Sequence, residues 1–332
     1  MAKTGSAAAV LVTGGAGYIG SVVAEKLLDR GERVVILDNL SRGHADAAPR
    51  EAAFERGDIA DRETLRSLFA RWPVRAVMHF AAYALVGESV EVPELYYRNN
   101  VVGSLILIEE ARAAGVGRFV FSSSAAVYGD RGSSPIPESA PALPINPYGE
   151  TKLAVERLLD WLFRAHRWPY FALRYFNACG ATAERGERHD PETHLIPLVL
   201  AAAAGEVDGV TVLGDDYPTP DGTCLRDFIH VADLADAHIR ALSAPAELSG
   251  PYNVATGRGH SVREVIAAAR RVTGRPLREV ARPRRPGDPP RLIADPSKIR
   301  AALGWRHQHD LESAVQSAWA FKLRHAAVPA RE

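Results

Sequence analysis

At 332 residues the chain is long enough for two domains of about 150 residues or one large α/β unit. Hydrophobic residues make up 47% and charged residues 24%, which excludes a disordered chain, a collagen-like repeat and a disulfide mini-scaffold. Forty Lys and Arg cancel forty Asp and Glu, so no global charge argues for nucleic acid or an acidic membrane as partner. Cys179 and Cys224 lie far apart with no C-x-x-C pair, which suits a reducing compartment, with a single bridge left open. No apolar window reaches the roughly 18 residues of a membrane helix, and the Ala run before Val10 is too short for a signal-peptide core. The cytoplasm is the expected location.

Ala7 to Thr13 reads as a strand running into glycines. Tyr18 to Arg30 follows as a helix, with Ile19, Val22, Val23 and Leu27 at helical spacing and Gly31 as its stop. Arg33 to Leu37, Val74 to Phe80 and Arg118 to Ser122 are further strands, and the unbroken apolar run from Val34 to Leu37 suits burial on both faces. Glu94 to Ala114 reads as one long helix closed by Gly115. Strands alternating with helices in this way predict a parallel sheet with right-handed crossovers. Ser133 to Pro147 is expected to be a surface loop, Tyr148 to Arg167 a helix and Tyr170 to Phe176 a strand. Beyond Asn177 the pattern predicts a loop to Pro191, a helix near Leu195 to Ala204 and a strand at Val210 to Leu213. Helices follow at Asp233 to Ser243 and Val262 to Val272. Pro283, Pro286, Pro289 and Pro290 mark an extended segment.

The first turn reads Thr13-Gly14-Gly15-Ala16-Gly17-Tyr18-Ile19-Gly20. Such glycines allow a tight turn and close approach of backbone to a pyrophosphate at a helix N-terminus. Glycines alone also mark ordinary strand-to-helix turns, but here Asp38 ends the second strand eighteen residues after Gly20, placed for an adenosine ribose. Its carboxylate would repel a 2′-phosphate, which favours NAD over NADP, although Arg42 lies nearby. Asp58-Ile59 is either a base-contacting pair or an ordinary loop.

Tyr148 and Lys152 stand four apart on one helix face, after Pro147. A phenol with a reference pKa near 10 is a poor base at neutral pH unless a cation stabilises its phenolate. A lysine ammonium and an oxidised nicotinamide ring would both do so. Such spacing also arises on solvated helix faces. What favours chemistry here is the glycine turn upstream and Ser122-Ser123-Ser124 at the end of the preceding strand, where doubly wound sheets bind ligands.

Taken in series, the segments VTGGAGYIGS, LDNLSRGH, HFAAYALVGESV, YYRNNV, FSSSAAVYGD, PYGETK, LRYFNACGA, DGTCLRDFIHVADLADAH and RRPGD resemble the nucleotide-sugar 4-epimerases of the extended short-chain dehydrogenase/reductase superfamily. The resemblance runs from Val12 to about Lys322. It implies an α/β fold: a Rossmann-type doubly wound parallel sheet over 7–177 and a smaller C-terminal α/β substrate domain over 178–225 and 254–325. The chain would return to the first domain at about 226–253. It further implies a UDP-sugar 4-epimerase that interconverts UDP-glucose and UDP-galactose by transient hydride transfer to tightly bound NAD, through a 4-keto sugar. Tyr148 would be the base, Lys152 its electrostatic partner and Ser124 the proton-sharing hydroxyl. NAD would lie along Gly14, Gly17, Tyr18, Ile19, Gly20, Asp38, Asn39, Asp58, Ile59, Phe80, Ala81, Asn99, Ser122, Tyr148, Lys152 and Phe176. The UDP-sugar would touch Ser124, Tyr148, Asn177, Leu195, Arg226, Arg285 and Asp288. A cytoplasmic homodimer is implied, with Leu95 to Leu107 and Tyr148 to Leu162 offering a helical seam. Alternatives are a 4-epimerase of UDP-N-acetylglucosamine or UDP-xylose, a nucleotide-sugar dehydratase, and a non-catalytic NAD-sensing protein. Ala125-Ala126 after Ser124 disfavours the dehydratase, whose relatives carry Asp-Glu there; the intact Tyr148 and Lys152 disfavour the sensor. Ala84 departs from relatives with lysine, and Leu292 falls where residue size is thought to gate N-acetyl sugars.

Two features have plainer readings. His189-Asp190-Pro191-Glu192-Thr193-His194 matches no helical zinc spacing, so no metal is assigned and the segment is expected to be a lid-like loop. The arginines at 282, 284, 285 and 291 lack interleaved aromatics, so nucleic acid is not expected.

Overall fold

The computed structural model describes residues 8–130, 135–285 and 288–326. Its strands in chain order are β1 (Ala9–Thr13), β2 (Val34–Asp38), β3 (Ala53–Arg56), β4 (Val74–His79), β5 (Phe119–Ser124), β6 (Tyr170–Tyr175) and β7 (Asn177–Cys179). They continue as β8 (Val210–Leu213), β9 (Leu225–His230), β10 (Gly250–Val254), β11 (Gly259–Ser261), β12 (Glu279–Arg282) and β13 (Arg291–Leu292). Two compact units result. One comprises Met1–Gly129, Pro141–Arg174 and Ala235–Tyr252; the other comprises Asp130–Ala140, Tyr175–Leu234 and Asn253–Glu332.

The first unit carries a seven-stranded sheet in the order β10-β6-β5-β4-β1-β2-β3, the doubly wound α/β arrangement expected. The pairs β1–β2, β1–β4, β2–β3 and β4–β5 are all parallel. All five residues of β1 and of β2 are buried, as continuous apolar runs covered on both faces require. Leu11, Val35, Leu65, Leu107, Phe119 and Leu159 belong to one core cluster. The helix Arg62–Arg71 starts at Asp61, whose side chain accepts from the Glu63 and Thr64 amides. The helix Pro147–His166 starts at Asn146, which accepts from the Gly149 amide, with Pro147 in the first turn.

The stretch from 94 to 114 is not one α-helix. Helical turns at Pro93–Tyr96 and Ser104–Ala113 flank a π-helical stretch, Tyr97–Gly103. The wider turn leaves side chains to satisfy the backbone: Ser104 Oγ donates to the Asn100 carbonyl at 2.5 Å.

The second unit builds smaller sheets. β9 pairs with β7 and β13 in parallel and with β11 antiparallel, and β12 pairs with β8 in parallel. Its core gathers Ile196, Val199, Val212, Phe228, Ile266 and Val315, among others. The helix Val262–Thr273 carries a capping box from Ser261 and Glu264 and ends at Gly274 in left-handed conformation.

The grouping of the structure differs from the expected extents at two places. The return to the first unit is Ala235–Tyr252, shorter than 226–253, because β9 is committed to β7, β11 and β13. Asp130–Ala140 groups with the second unit. There Ile136 bridges to Ala294, and its carbonyl accepts from Asn253 Nδ2 at 2.8 Å. Ser133 and Ser134 of the expected 133–147 loop, Ala7 of the first strand and Pro286 lie outside the described residues. Cys179 and Cys224 are both buried and free.

Candidate active site

β1 delivers the chain to Gly14 at φ +71°, where a Cβ would stand 2.6 Å from the Ala81 amide nitrogen. At Gly20 a Cβ would meet the Gly14 carbonyl at 2.2 Å. Both glycines therefore serve the close approach of protein to protein. Gly17 differs, because only the Gly14 oxygen, at 3.3 Å, comes near. Gly17 precedes the helix Tyr18–Leu28, which has no side-chain cap and no acidic residue in its first turn. Amide groups and the positive helix end thus remain for an anion, which fits the pyrophosphate of a dinucleotide.

Asp38 is buried, and its carboxylate accepts from the Ala16 amide at 2.9 Å and the Leu40 amide at 2.8 Å. It ties the end of β2 to the glycine turn and keeps lone pairs for ribose hydroxyls. Arg42 pairs with Glu88 at 2.5 Å, so the cation that complicated the NAD reading is engaged by a carboxylate. Asn39 donates to Asp58 at 2.8 Å, Ile59 is buried, and Asn99 donates to Asn100 at 2.8 Å. The Phe80 ring stands 4.8 Å from His238.

Ser122, Ser123 and Ser124 end β5. Lys152 is buried and donates to the Ser122 carbonyl at 2.8 Å, with its ammonium 5.8 Å from the centre of the Tyr148 ring. Tyr148 hydrogen-bonds with Ser124. Burial pushes the Tyr148 phenol above its ordinary pKa, and the Ser124 hydrogen bond opposes that. Burial also lowers Lys152 to about 7, with Glu156 pulling it back up. Lys152 thus stands beside the Tyr148 ring on the same helix face, and Ser124 is the partner that favours the phenolate.

The sequence reading missed what lies behind this group. Glu156 and Arg174 form a buried ion pair, with Arg174 Nε 2.9 Å from Glu156 Oε1. Ser123 donates to the same carboxylate at 2.5 Å, and Arg174 donates to the Tyr128 hydroxyl at 2.9 Å. The signal was present: Glu156 follows Lys152 by four residues and Tyr148 by eight, all on one helix face. His79 is also buried, between Thr13 at 2.7 Å and Ser104 at 2.8 Å, and burial drops its pKa to about 3. It is a neutral core histidine.

In the second unit, Phe176 follows β6 and Asn177 opens β7, donating to the Asp227 carbonyl at 3.2 Å. Arg226 meets Asp288 at 2.6 Å and donates to the Leu225 and Pro289 carbonyls. Leu195 begins the helix Leu195–Ala204, while Arg285 is solvent-exposed. Arg226, Asp288 and Asn177 thus gather around β9, and Arg285 touches that network through its carbonyl, which accepts from the Asp288 amide at 3.2 Å. The organising residue, again missed, is Asp227. It is fully buried and accepts from the Thr256 amide and hydroxyl, the Gly257 amide and the Ala294 amide. Burial still lifts its pKa to about 6. A charged residue inside an apolar strand, Leu225-Arg226-Asp227-Phe228-Ile229, was the available signal.

Comparison with known proteins shows the family. A UDP-glucose 4-epimerase of Halalkalibacterium halodurans is 48% identical over 322 residues, covering 96% of both chains. One of Streptomyces lividans is 49% identical over 319 residues, covering 95% of this chain and 96% of the other. The crystal structure of UDP-glucose 4-epimerase from Brucella ovis in complex with NAD superposes with a TM-score of 0.91 at 48% identity, covering 95% of this chain and 98% of that one. Residues 10–255 match the sequence profile of the NAD dependent epimerase/dehydratase family, and the chain belongs to that family.

Proposed function

We propose that this chain interconverts UDP-glucose and UDP-galactose, with NAD held through turnover. The observation that carries the reading is the 48–49% identity to UDP-glucose 4-epimerases over nearly the whole length. When bound, NAD supplies a reversible hydride acceptor, so C4 of the sugar can be oxidised and reduced with no net redox change.

Gly17, Tyr18 and Ile19 face the pyrophosphate in a turn whose tightness Gly14 and Gly20 permit, and Asp38, Asn39, Asp58, Ile59, Phe80, Ala81 and Asn99 hold the adenosine side. Ser122, Lys152 and Phe176 hold the nicotinamide half. Tyr148 takes the proton from the sugar 4-hydroxyl and returns it after the keto sugar has turned, and Ser124 shares that proton. Arg226 and Arg285 bind the diphosphate through their planar forks, with Asp288 orienting Arg226, while Asn177 and Leu195 contact the nucleotide sugar. Ala125-Ala126 after Ser124 supplies no acid pair for dehydration.

The same reading includes a cytoplasmic homodimer. Tyr97, Val102, Leu105 and Trp161 are large, apolar and exposed on two helical stretches of the first unit, which supports a helical seam. Two free, buried cysteines suit a reducing compartment. Among the described residues no helix is long and apolar enough to cross a membrane.

Purified chain given UDP-glucose and no added NAD should form UDP-galactose, followed by proton NMR, and should release dinucleotide on denaturation. No conversion despite bound dinucleotide would overturn the assignment. UDP-N-acetylglucosamine in a parallel tube tests whether Leu292 admits the larger sugar.

A further inference from the structure

Glu187, His189, Glu192 and His194 follow one another as E-x-H-x-x-E-x-H on the loop before the helix Leu195–Ala204. Folding brings together what the spacing alone did not. One ligand atom from each of the four side chains lies within 4.8 Å of all the others. His189 Nδ1 and His194 Nδ1 approach the same Glu187 oxygen, at 3.0 and 2.7 Å, and His194 Nδ1 stands 2.9 Å from Glu192 Oε1. The Glu187 side chain is only 8% exposed.

We propose that these four side chains form a structural site for a divalent transition-metal ion, Zn²⁺ above others. Two imidazole nitrogens and two carboxylate oxygens are a donor set that tetrahedral zinc accepts. Metal–ligand bonds of about 2.0–2.2 Å place neighbouring ligand atoms about 3.4 Å apart. The closest pairs here, at 2.7–3.0 Å, reach that spacing through side-chain shifts of under about an ångström. Mg²⁺ and Ca²⁺ are the wrong class, because both prefer all-oxygen shells.

The surroundings support the same assignment. The buried Glu187 carboxylate is partnered here by the His189 and His194 imidazoles; a bound divalent ion would take over that role, with both imidazoles as neutral ligands. Glu192 Oε1 is fixed by the amides of Thr193 at 2.7 Å and His194 at 2.8 Å, which holds the carboxylate in place and leaves Oε2 as its free ligand atom. Four protein ligands fill a tetrahedron and leave no position for substrate, so the ion would pin the loop rather than take part in catalysis.

The test uses the full chain without an affinity tag, stripped by a chelator and titrated with Co²⁺. One equivalent should bind with the intense visible absorption of a tetrahedral Co²⁺ centre, and one equivalent of Zn²⁺ should displace it. Zn²⁺ should also raise Tm in the intact chain. His189→Asn and Glu192→Gln, both partly exposed positions, should each weaken Co²⁺ binding at least about tenfold while far-UV circular dichroism stays unchanged. Either variant suffices if the other fails to fold. Absence of a saturable tetrahedral spectrum, or equal Co²⁺ affinity in a folded variant and the parent chain, overturns the site.

Discussion

In the first unit the side chains assigned to chemistry follow directly on the carboxyl ends of parallel strands: Gly14 after β1, Asp38 at the end of β2, Phe80 after β4 and Ser124 at the end of β5. In the second unit Asn177 and Arg226 sit on strands of three and six residues, and Asp288 and Leu195 lie outside any strand. The first arrangement inherits its precision from a seven-stranded sheet. The second depends on one buried carboxylate, Asp227, gathering three amides and a hydroxyl from distant segments. Regular elements hold a site through many small hydrogen bonds, so losing one side chain removes chemistry and spares the frame. A site held through a single hub loses frame and function together.

That contrast is open to direct attack. The largest effect is expected from Tyr148→Phe, which should lower turnover by about 10²–10⁴ in steady-state assays while Tm and bound dinucleotide stay near those of the parent chain. A parallel collapse of stability would mean that the first unit is no more robust than the second. Next is Asp227→Ala, which strands three buried amides and a hydroxyl and should cost about 3 kcal/mol at neutral pH by denaturant unfolding. The folded pKa of Asp227, about 6, lies above the unfolded value of about 3.9. Between these values the native state holds the extra proton, so the stability Asp227 contributes is full below the unfolded pKa and declines as pH rises through 6. The deficit of the variant should therefore widen from pH 7 to pH 4. A constant deficit would sink the hub as described. The smallest effect belongs to Ser261→Ala, which removes the capping box of one second-unit helix and should cost about 1 kcal/mol.

The nucleotide turn was legible because its requirements are local. A strand, glycines and an acidic residue at the end of the next strand lie within thirty residues of one another. Tyr148, Lys152 and Ser124 were legible through helical spacing and position after a strand, together with the family resemblance. Of the Glu156–Arg174 pair only the helix-face spacing of Glu156 was readable; its meeting with Arg174, eighteen residues on, comes from packing of the helix Pro147–His166 against β6. The π-helical stretch escaped for a related reason: seven residues are too few turns for apolar spacing to separate α from π, and the difference lies in whether a backbone N–H reaches the carbonyl four or five residues back.

The alternation of apolar runs and amphipathic helices was enough by itself to determine a parallel sheet with helical crossovers, since backbone hydrogen bonding and burial act over short windows. Only the tertiary structure decided the hub at Asp227, the grouping of Asp130–Ala140 with the second unit and the meeting of Glu187, His189, Glu192 and His194. Each of these sets a buried or convergent polar group against partners brought by the fold. Desolvation makes such groups costly unless paired, and pairing is a property of three-dimensional neighbours that sequence order does not record.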